Sequence, residues 1–492
     1  MRRIFVTYII FFLLTIIISC DKGETEYIAL VGDKSIAYKT YNNSFFFEPV
    51  YSRGDTWLEA RTRQLQMFID EKLFAYGGEG ISVDTMAFYG ARLAWYRKTA
   101  LVESYFEKHI FEKMVITQSE MASGFEKRRR RVHLRHLFFK DSLVAARSLE
   151  ALQQQILNFD DLATKVFKSE QLRQSGGDLG ICKFGELEMS IENEAFKLKA
   201  GEISDKIIKS EFGYHILKAE EIYIDFLPTQ EAYDTFKEDI KGIIKTRKMR
   251  SGRRQLVNQL IAKNPVNIKV PVFEKLAGFT SLAIDREFEN ETNPFIPNVL
   301  GKEISRIATQ ITDIENGTLV TYGNKEWRVK DFLYQLRAMP PTERPRIDSE
   351  AALYNAVKYM ILDEIIKDQA LKENLDKRED TIQKVEEFAD RLQASLYTDD
   401  LFSSVSIDSS QVLNWFMEKY GKIPDKGQNY ILEYAAKRIL NKKRSRIIAL
   451  ARDSLANIYR TEVIDSLLLK DIPDPQKKID FTPSPVLRKR LF

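Results

Sequence analysis

The sequence predicts an α+β protein that is mainly helical, in which a small antiparallel sheet unit interrupts a helical core and a second helical core follows. Three observations carry that expectation. First, two alternating apolar runs, Val132-His133-Leu134-Arg135-His136-Leu137-Phe138-Phe139 and Phe212-Gly213-Tyr214-His215-Ile216-Leu217, frame the turn Gly176-Gly177-Asp178-Leu179-Gly180, and period-two alternation is the mark of half-buried strands. Second, apolar residues recur at helical spacing on either side, as in Leu58, Leu65, Ile69, Leu73 and in Val357, Ile361, Ile365. Third, the flanks repeat each other. With 492 residues the chain is long enough for about three domains.

The chain opens with Arg2-Arg3, the apolar run Ile4 to Ile18, and Ser19-Cys20-Asp21. That order of charged, apolar and small residues before a Cys resembles a bacterial lipoprotein signal over residues 1–19. An apolar run of about fifteen residues is short for a bilayer span, which takes about twenty. The resemblance implies cleavage before Cys20 and lipidation of its thiol, leaving a protein tethered outside the cytoplasm in the cell envelope, facing the periplasm. Cys20 and Cys182 are the only cysteines, so once Cys20 is acylated no internal disulfide can form and stability must come from cores. The 75 Lys and Arg nearly balance the 71 Asp and Glu, a composition that gives no reason to expect nucleic acid. Lys127 to Arg131 is a basic run where a helix feeds the sheet unit, and it is read as a solvated face.

Residues 20–130 form the first part of the helical core. Ala29-Leu30-Val31-Gly32-Asp33-Lys34 is a short strand and tight turn, and Met67-Phe68-Ile69-Asp70-Glu71 lies in a helix. A longer helix follows near 84–112, and Thr117-Gln118-Ser119-Glu120 is a capping box that starts a third.

Residues 131–222 hold the sheet unit, with three of the chain's four histidines. Its motifs are Arg135-His136-Leu137 on the first strand, the Gly-rich turn, Glu192 and Ala195-Phe196 on a short helix, Lys199 to Ser204, and the Gly213-Tyr214-His215 strand. In this order they resemble the parvulin family of peptidyl-prolyl isomerases. The resemblance implies a four-stranded antiparallel sheet with about four helices, and two histidines, His136 and His215, facing each other beside a bound X-Pro bond. It places Glu170 and Ser210 with them in the catalytic set. Leu187, Ile191, Cys182 and Phe212 fall in the substrate pocket. Ile191 stands where the family has Phe and Cys182 where it has an aromatic, which implies a pocket short of two flat walls. X-Pro rotation has a barrier near ~20 kcal/mol and breaks no covalent bond. An apolar cleft and hydrogen-bonding groups that favour the twisted amide are sufficient. No metal and no cofactor are expected.

Residues 223–277 are expected to complete the first core with a basic amphipathic helix near 230–263 and a strand at Val266 to Val270. Residues 278–317 are the connection. The second core, residues 318–470, repeats the first: Leu319 to Lys325 echoes Ala29 to Lys34, Met360 to Glu364 echoes Met67 to Glu71, and Asp408-Ser409-Ser410-Gln411 echoes the capping box at Thr117. Phe125 and Phe416 stand eight residues beyond each cap. A helix near 429–459 and a strand at Thr461 to Ile464 close the copy, and residues 471–492, with Pro473, Pro475, Pro483 and Pro485, form an irregular tail.

An isomerase unit inserted between the parts of a discontinuous helical core resembles the SurA and PrsA group of extracytoplasmic folding factors. That resemblance makes the helical parts chaperone cores and implies partners that are unfolded or nascent envelope proteins, with their X-Pro segments. Two other readings stand beside it: a holdase chaperone whose parvulin-like domain is weakly active or inactive, and a structural envelope lipoprotein.

Overall fold

A computed structural model describes residues 26–47, 54–81, 87–210, 212–283, 301–421, 429–470, 472 and 474–478. The leader and Cys20 lie outside them. Among the described residues no helix is long and apolar enough to cross a membrane.

The chain begins with the hairpin β1 (Tyr27–Val31) and β2 (Lys34–Ala37), then α1 (Tyr38–Phe47), α2 (Trp57–Gly77), α3 (Ala87–Phe106) and α4 (Gln118–Arg128). The hairpin turns at Gly32, whose φ of +59° is a left-handed conformation that suits glycine. Helix α2 starts at a capping box of Thr56 and Glu59. Helix α4 starts at the expected box, in which Thr117 Oγ1 accepts from Glu120 N–H and the Glu120 carboxylate accepts from Thr117 N–H.

The inserted unit runs through β3 (Arg130–Phe139), α5 (Ser142–Gln153), α6 (Phe159–Val166), α7 (Glu170–Gln174), β4 (Asp178–Lys183), α8 (Met189–Ala195), β5 (Ile208–Lys209) and β6 (Tyr214–Ile224). Its sheet has the order β4-β3-β6-β5 with every pair antiparallel. Alternation along β3 and β6 gives each face its own core. Leu137, Phe139 and Ile216 pack with α5 and α6 on one side, and Leu134, Leu217 and Ala219 pack with α8 on the other.

Helix α9 (Gln230–Lys263), β7 (Val266–Ile268), α10 (Val270–Ala283) and α11 (Gly301–Gln310) lead to the second copy. That copy comprises β8 (Thr318–Tyr322), β9 (Lys325–Arg328), α12 (Val329–Ala338), α13 (Glu350–Lys372), α14 (Glu379–Ser403), α15 (Ser409–Tyr420), α16 (Asn429–Ala456), β10 (Thr461–Val463) and α17 (Asp465–Leu468). The repeat is visible in detail. Gly323, the counterpart of Gly32, turns the second hairpin at φ +54°, and Asp408 caps α15 by accepting from Gln411 N–H.

The two copies do not close on themselves. The strand expected to complete the first core, β7, instead pairs with β8 of the second, with Val266 opposite Tyr322 and Ile268 opposite Val320. The last strand, β10, returns to β1, with Ala29 opposite Val463 and Val31 opposite Thr461. In each hairpin the outer edge of the first strand has unpaired N–H and C=O groups that need a partner, and it receives one from the other copy, which leaves β2 and β9 at the sheet edges. The helices exchange in the same sense. Glu71 on α2 meets Arg391 on α14 at 3.4 Å, and its counterpart Glu364 on α13 meets Lys98 on α3 at 2.9 Å.

Both cores are therefore composite. One joins Ile28, Val31, Leu65 and Leu73 to Ala394, Leu455 and Leu467, and the other joins Leu319, Phe332, Met360 and Ile361 to Leu101, Tyr105 and Leu260. Helix α9, 34 residues and so about 50 Å long, links the insertion to the second core. Its Ile240 and Ile244 pack on Met121 and Phe125 of α4, while Leu260 near its far end enters the second core.

Candidate active site

In β3 and β6 the pairs His136–Leu217 and Phe138–His215 lie directly opposite. Cross-strand partners share a face, so His136, Phe138, His215 and Leu217 all point to the side that carries α8. The two imidazoles sit 5.7 Å apart with ring planes 19° from parallel, and their Nδ1 atoms are separated by 3.4 Å. His215 Nε2 lies 2.8 Å from Ser210 Oγ, and Ser210 Oγ accepts the Phe212 N–H at 3.1 Å. The turn between Ser210 and β6 is closed by Ser210 N–H donating to Gly213 C=O at 2.8 Å. Gly213 has φ +151°, and a Cβ there would lie 2.5 Å from Phe139 O. Gly177 is as constrained: its C=O accepts from His136 N–H at 2.9 Å, and a Cβ would lie 2.1 Å from His136 O. The Gly-rich motif thus presses backbone against the strand that carries His136.

Ser210, His215 and His136 form a chain with room for one proton between each pair of heteroatoms. When Ser210 donates to His215 Nε2, His215 Nδ1–H donates to His136 Nδ1, and the remaining N–H of His136 is free to meet a substrate. Burial, and secondarily the neighbouring His215, lowers the His136 pKa to about 4. Burial lowers that of His215 as well, with Glu188 acting in the opposite direction. Both rings are therefore neutral at pH 7. The array can orient and polarise an amide, and it carries no charged acid or base at neutral pH.

The remaining candidates fall in different places. Leu187, half-buried, borders the apolar layer on the same sheet face as the histidines and also lines a cleft of about 780 Å³ facing α9. Ile191 and Cys182 are 8% and 5% exposed and belong to that packed layer, beside Val132, Leu134 and Leu217. Burial pushes the Cys182 thiol up to about 11, so it is inert as a nucleophile. Phe212 is 68% exposed and stands at the mouth of the site. Glu170 is not drawn to the histidines: its carboxylate, on the surface of α7, takes an ion pair from Arg173 and a hydrogen bond from Gln174 at 2.9 Å. A carboxylate with partners three and four residues away on its own helix has no reason to turn inward.

Sequence reasoning overlooked two aromatic neighbours. Phe138 lies 5.3 Å from His215 and Phe167 5.5 Å from His136, ring to ring. Period two along β3 was enough to place Phe138 with His136, whereas Phe167, between helices, carried no local signal. It also overlooked Arg247, which lies outside the inserted unit and reaches into it.

Residues 143–221 match the PPIC-type PPIASE rotamase domain model. The unit is a parvulin-type peptidyl-prolyl isomerase domain. The chain is 30% identical over 160 residues to foldase protein PrsA 1 of Bacillus cereus, covering 32% of this chain and 52% of that protein. It is 24% identical over 240 residues to a probable parvulin-type peptidyl-prolyl cis-trans isomerase of Bordetella bronchiseptica, covering 47% of this chain and 90% of that one. The chain spans about half the length of the foldase relatives it matches. Among solved structures it is similar to the peptidylprolyl isomerase PrsA of Bacillus anthracis, at 18% identity and a TM-score of 0.23, with 39% of this chain and 96% of that chain covered.

Proposed function

We propose that the chain is a peptidyl-prolyl cis-trans isomerase and chaperone that assists the folding of envelope or secreted proteins, tethered outside the cytoplasm by a lipid on Cys20. The observation that carries the reading is the Ser210–His215–His136 array, in which Ser210 and His215 lie within the residues that match the rotamase model and His136 lies on the strand just before them. In this reading the neutral histidines orient the X-Pro amide. Phe212 and Leu187 meet the proline segment, and Ile191 and Cys182 support the floor from beneath. Glu170 stays outside the chemistry. The composite helical lobes hold unfolded segments, supported by exposed aromatic side chains such as Tyr334, Tyr354 and Tyr359 at 53%, 46% and 65%. The leader motif of Arg2 to Cys20 supports the tether.

The test pairs a protease-coupled assay on an X-Pro peptide with an aggregation-suppression assay. The His136→Ala, His215→Ala double variant is expected to lose isomerase activity by about tenfold or more, since the array acts on the twisted amide. Aggregation suppression should persist, and circular dichroism should remain native. Unchanged isomerisation in the folded variant removes the histidines from the site.

A further inference from the structure

Glu192 of α8 is a charged side chain with no exposure at all, and a buried carboxylate is tolerated only when it is fully partnered. Inside its own domain it has the Gly185 N–H, at 2.8 Å. Its charge is met from outside. Arg247 of α9 grips it in a two-pronged pair, Nη1 to Oε1 at 2.7 Å and Nη2 to Oε2 at 2.5 Å, and Lys127 Nζ of α4 lies 3.5 Å from Oε1. Arg247 also donates to Leu187 C=O at 3.4 Å, and its guanidinium lies 5.0 Å from the Phe184 ring centroid. Phe184 in turn is buried among Met121, Phe125, Ile240 and Ile244 of the helical core. Gly185 turns at φ +96° against Ile243, where a Cβ would come within 3.0 Å. The segment from Phe184 to Glu192 is therefore shaped by α9 as much as by the domain that contains it.

That segment leads to the site by an unbroken chain of contacts. Glu188 caps α8 by accepting from Ser190 and Ile191 N–H. Ser190 Oγ shares its one proton between the Glu188 carboxylate and Lys209 C=O, the latter at 2.9 Å, and Lys209 adjoins Ser210, the partner of His215. Leu187 and Ile191 belong to the apolar layer that includes Leu217, the cross-strand partner of His136.

We infer that Arg247 is a positioning residue for the isomerase site: through Glu192 it holds α8 and the Leu187 loop in register with the Ser210–His215–His136 array, so that the helical core sets how the site accepts a proline segment. The inference rests on the proposed isomerase activity for its kinetic readout and is independent of it for its structural one. A Lys at this position would keep the charge and lose the fork, so it restores the hold only in part.

The experiment uses the full chain with Arg247→Ala, Arg247→Lys and Glu192→Gln, each checked by circular dichroism. Arg247→Ala is expected to raise KM for an X-Pro peptide by about fivefold while kcat stays within about twofold, with Arg247→Lys between it and the parent. Hydrogen exchange of the amides of residues 184–192 should speed up by about tenfold or more, while that of β8 and β9 is unchanged. If Arg247→Ala does not fold, the near-isosteric Glu192→Gln carries the same two readouts. A folded variant with unchanged KM and unchanged exchange overturns the inference, and so does an activity loss that only tracks the folded fraction at constant KM. Absence of isomerase activity in the parent chain would defeat the functional reading alone, and the exchange of residues 184–192 would then decide this one.

Discussion

Arg61 of α2 ties the first copy to α17, and its removal should loosen one lobe while leaving the other intact. The side chain is completely buried. Its Nε donates to Leu468 C=O at 2.8 Å, Nη2 to Leu467 C=O at 3.3 Å and Nη1 to Asn42 Oδ1 at 2.9 Å. The guanidinium also lies 4.9 Å from the Tyr41 ring and 5.2 Å from that of Phe45. Arg61→Ala would strand the carbonyls at the end of α17, at about 1–3 kcal/mol for an unsatisfied buried group. It would also forfeit two cation–ring contacts of about 0.5–2 kcal/mol each and leave a cavity. Relief from burying a cation offsets part of this. A net loss of about 3–5 kcal/mol remains, against a domain stability of about 5–15 kcal/mol. Hydrogen exchange measures it with an internal reference, since β1 and β2 belong to the lobe that Arg61 closes and β8 and β9 to the other. Protection of β1, β2 and α17 should fall by about two to three and a half decades, at about 1.4 kcal/mol per decade, with β8 and β9 changed by less than tenfold. A fall of less than tenfold in β1 and β2, or an equal fall in both lobes, would refute the reasoning.

The histidine pair sets the pH response. Because the His136 pKa is lowered to about 4 from 6.5, the unfolded chain takes up protons that the folded one refuses as pH falls from about 6.5 to about 4. Stability contributed by the neutral ring is then complete above pH 6.5 and is lost progressively over that interval. The isomerase pH profile should accordingly be level from pH 8 to about 5.5 and fall by half near pH 4, and a half-loss near pH 6.5 in the peptide assay would contradict the neutral array. Phe at Ile191 or Cys182, which a pocket-wall role would make favourable, should instead destabilise the domain by about 1–3 kcal/mol, because both positions are packed. Urea unfolding checks this, and a Phe variant of parental stability and higher kcat/KM would restore the wall role. Cys20→Ser should abolish acylation and release the protein from membranes in a fractionation experiment, and continued membrane partitioning at unchanged size would exclude the lipid tether.

Much of the fold was legible from short stretches of sequence. Period-two alternation marked β3 and β6 and set His136 and His215 on a sheet, and side-chain oxygens three residues ahead of Glu120 and Gln411 marked the starts of α4 and α15. The paired glycines at 32 and 323 marked the two hairpin turns. Each is a local signal, because dihedral preference and capping are settled within about four residues.

What the local patterns could not decide was partnership. Strands β7 and β10 are both three residues long, and the edges of β1 and β8 offer similar partners. β7 takes the hairpin nearer to it along the chain and β10 the farther one, and because closing a longer loop costs only logarithmically more, chain distance did not forbid the second pairing. Only the assembled helices, with α14 against α2 and α3 against α13, made the exchange the arrangement that buries both cores. The same holds at the site. The sequence by itself determined that two histidines share a sheet with a Gly-rich turn. The tertiary structure decided that Glu170 stays at the surface, that Cys182 and Ile191 are packed in an apolar layer with Val132 and Leu217, and that Glu192 finds its counter-charge 55 residues away on Arg247. Charge pairing across that distance depends on how whole helices pack, which no short window of sequence records.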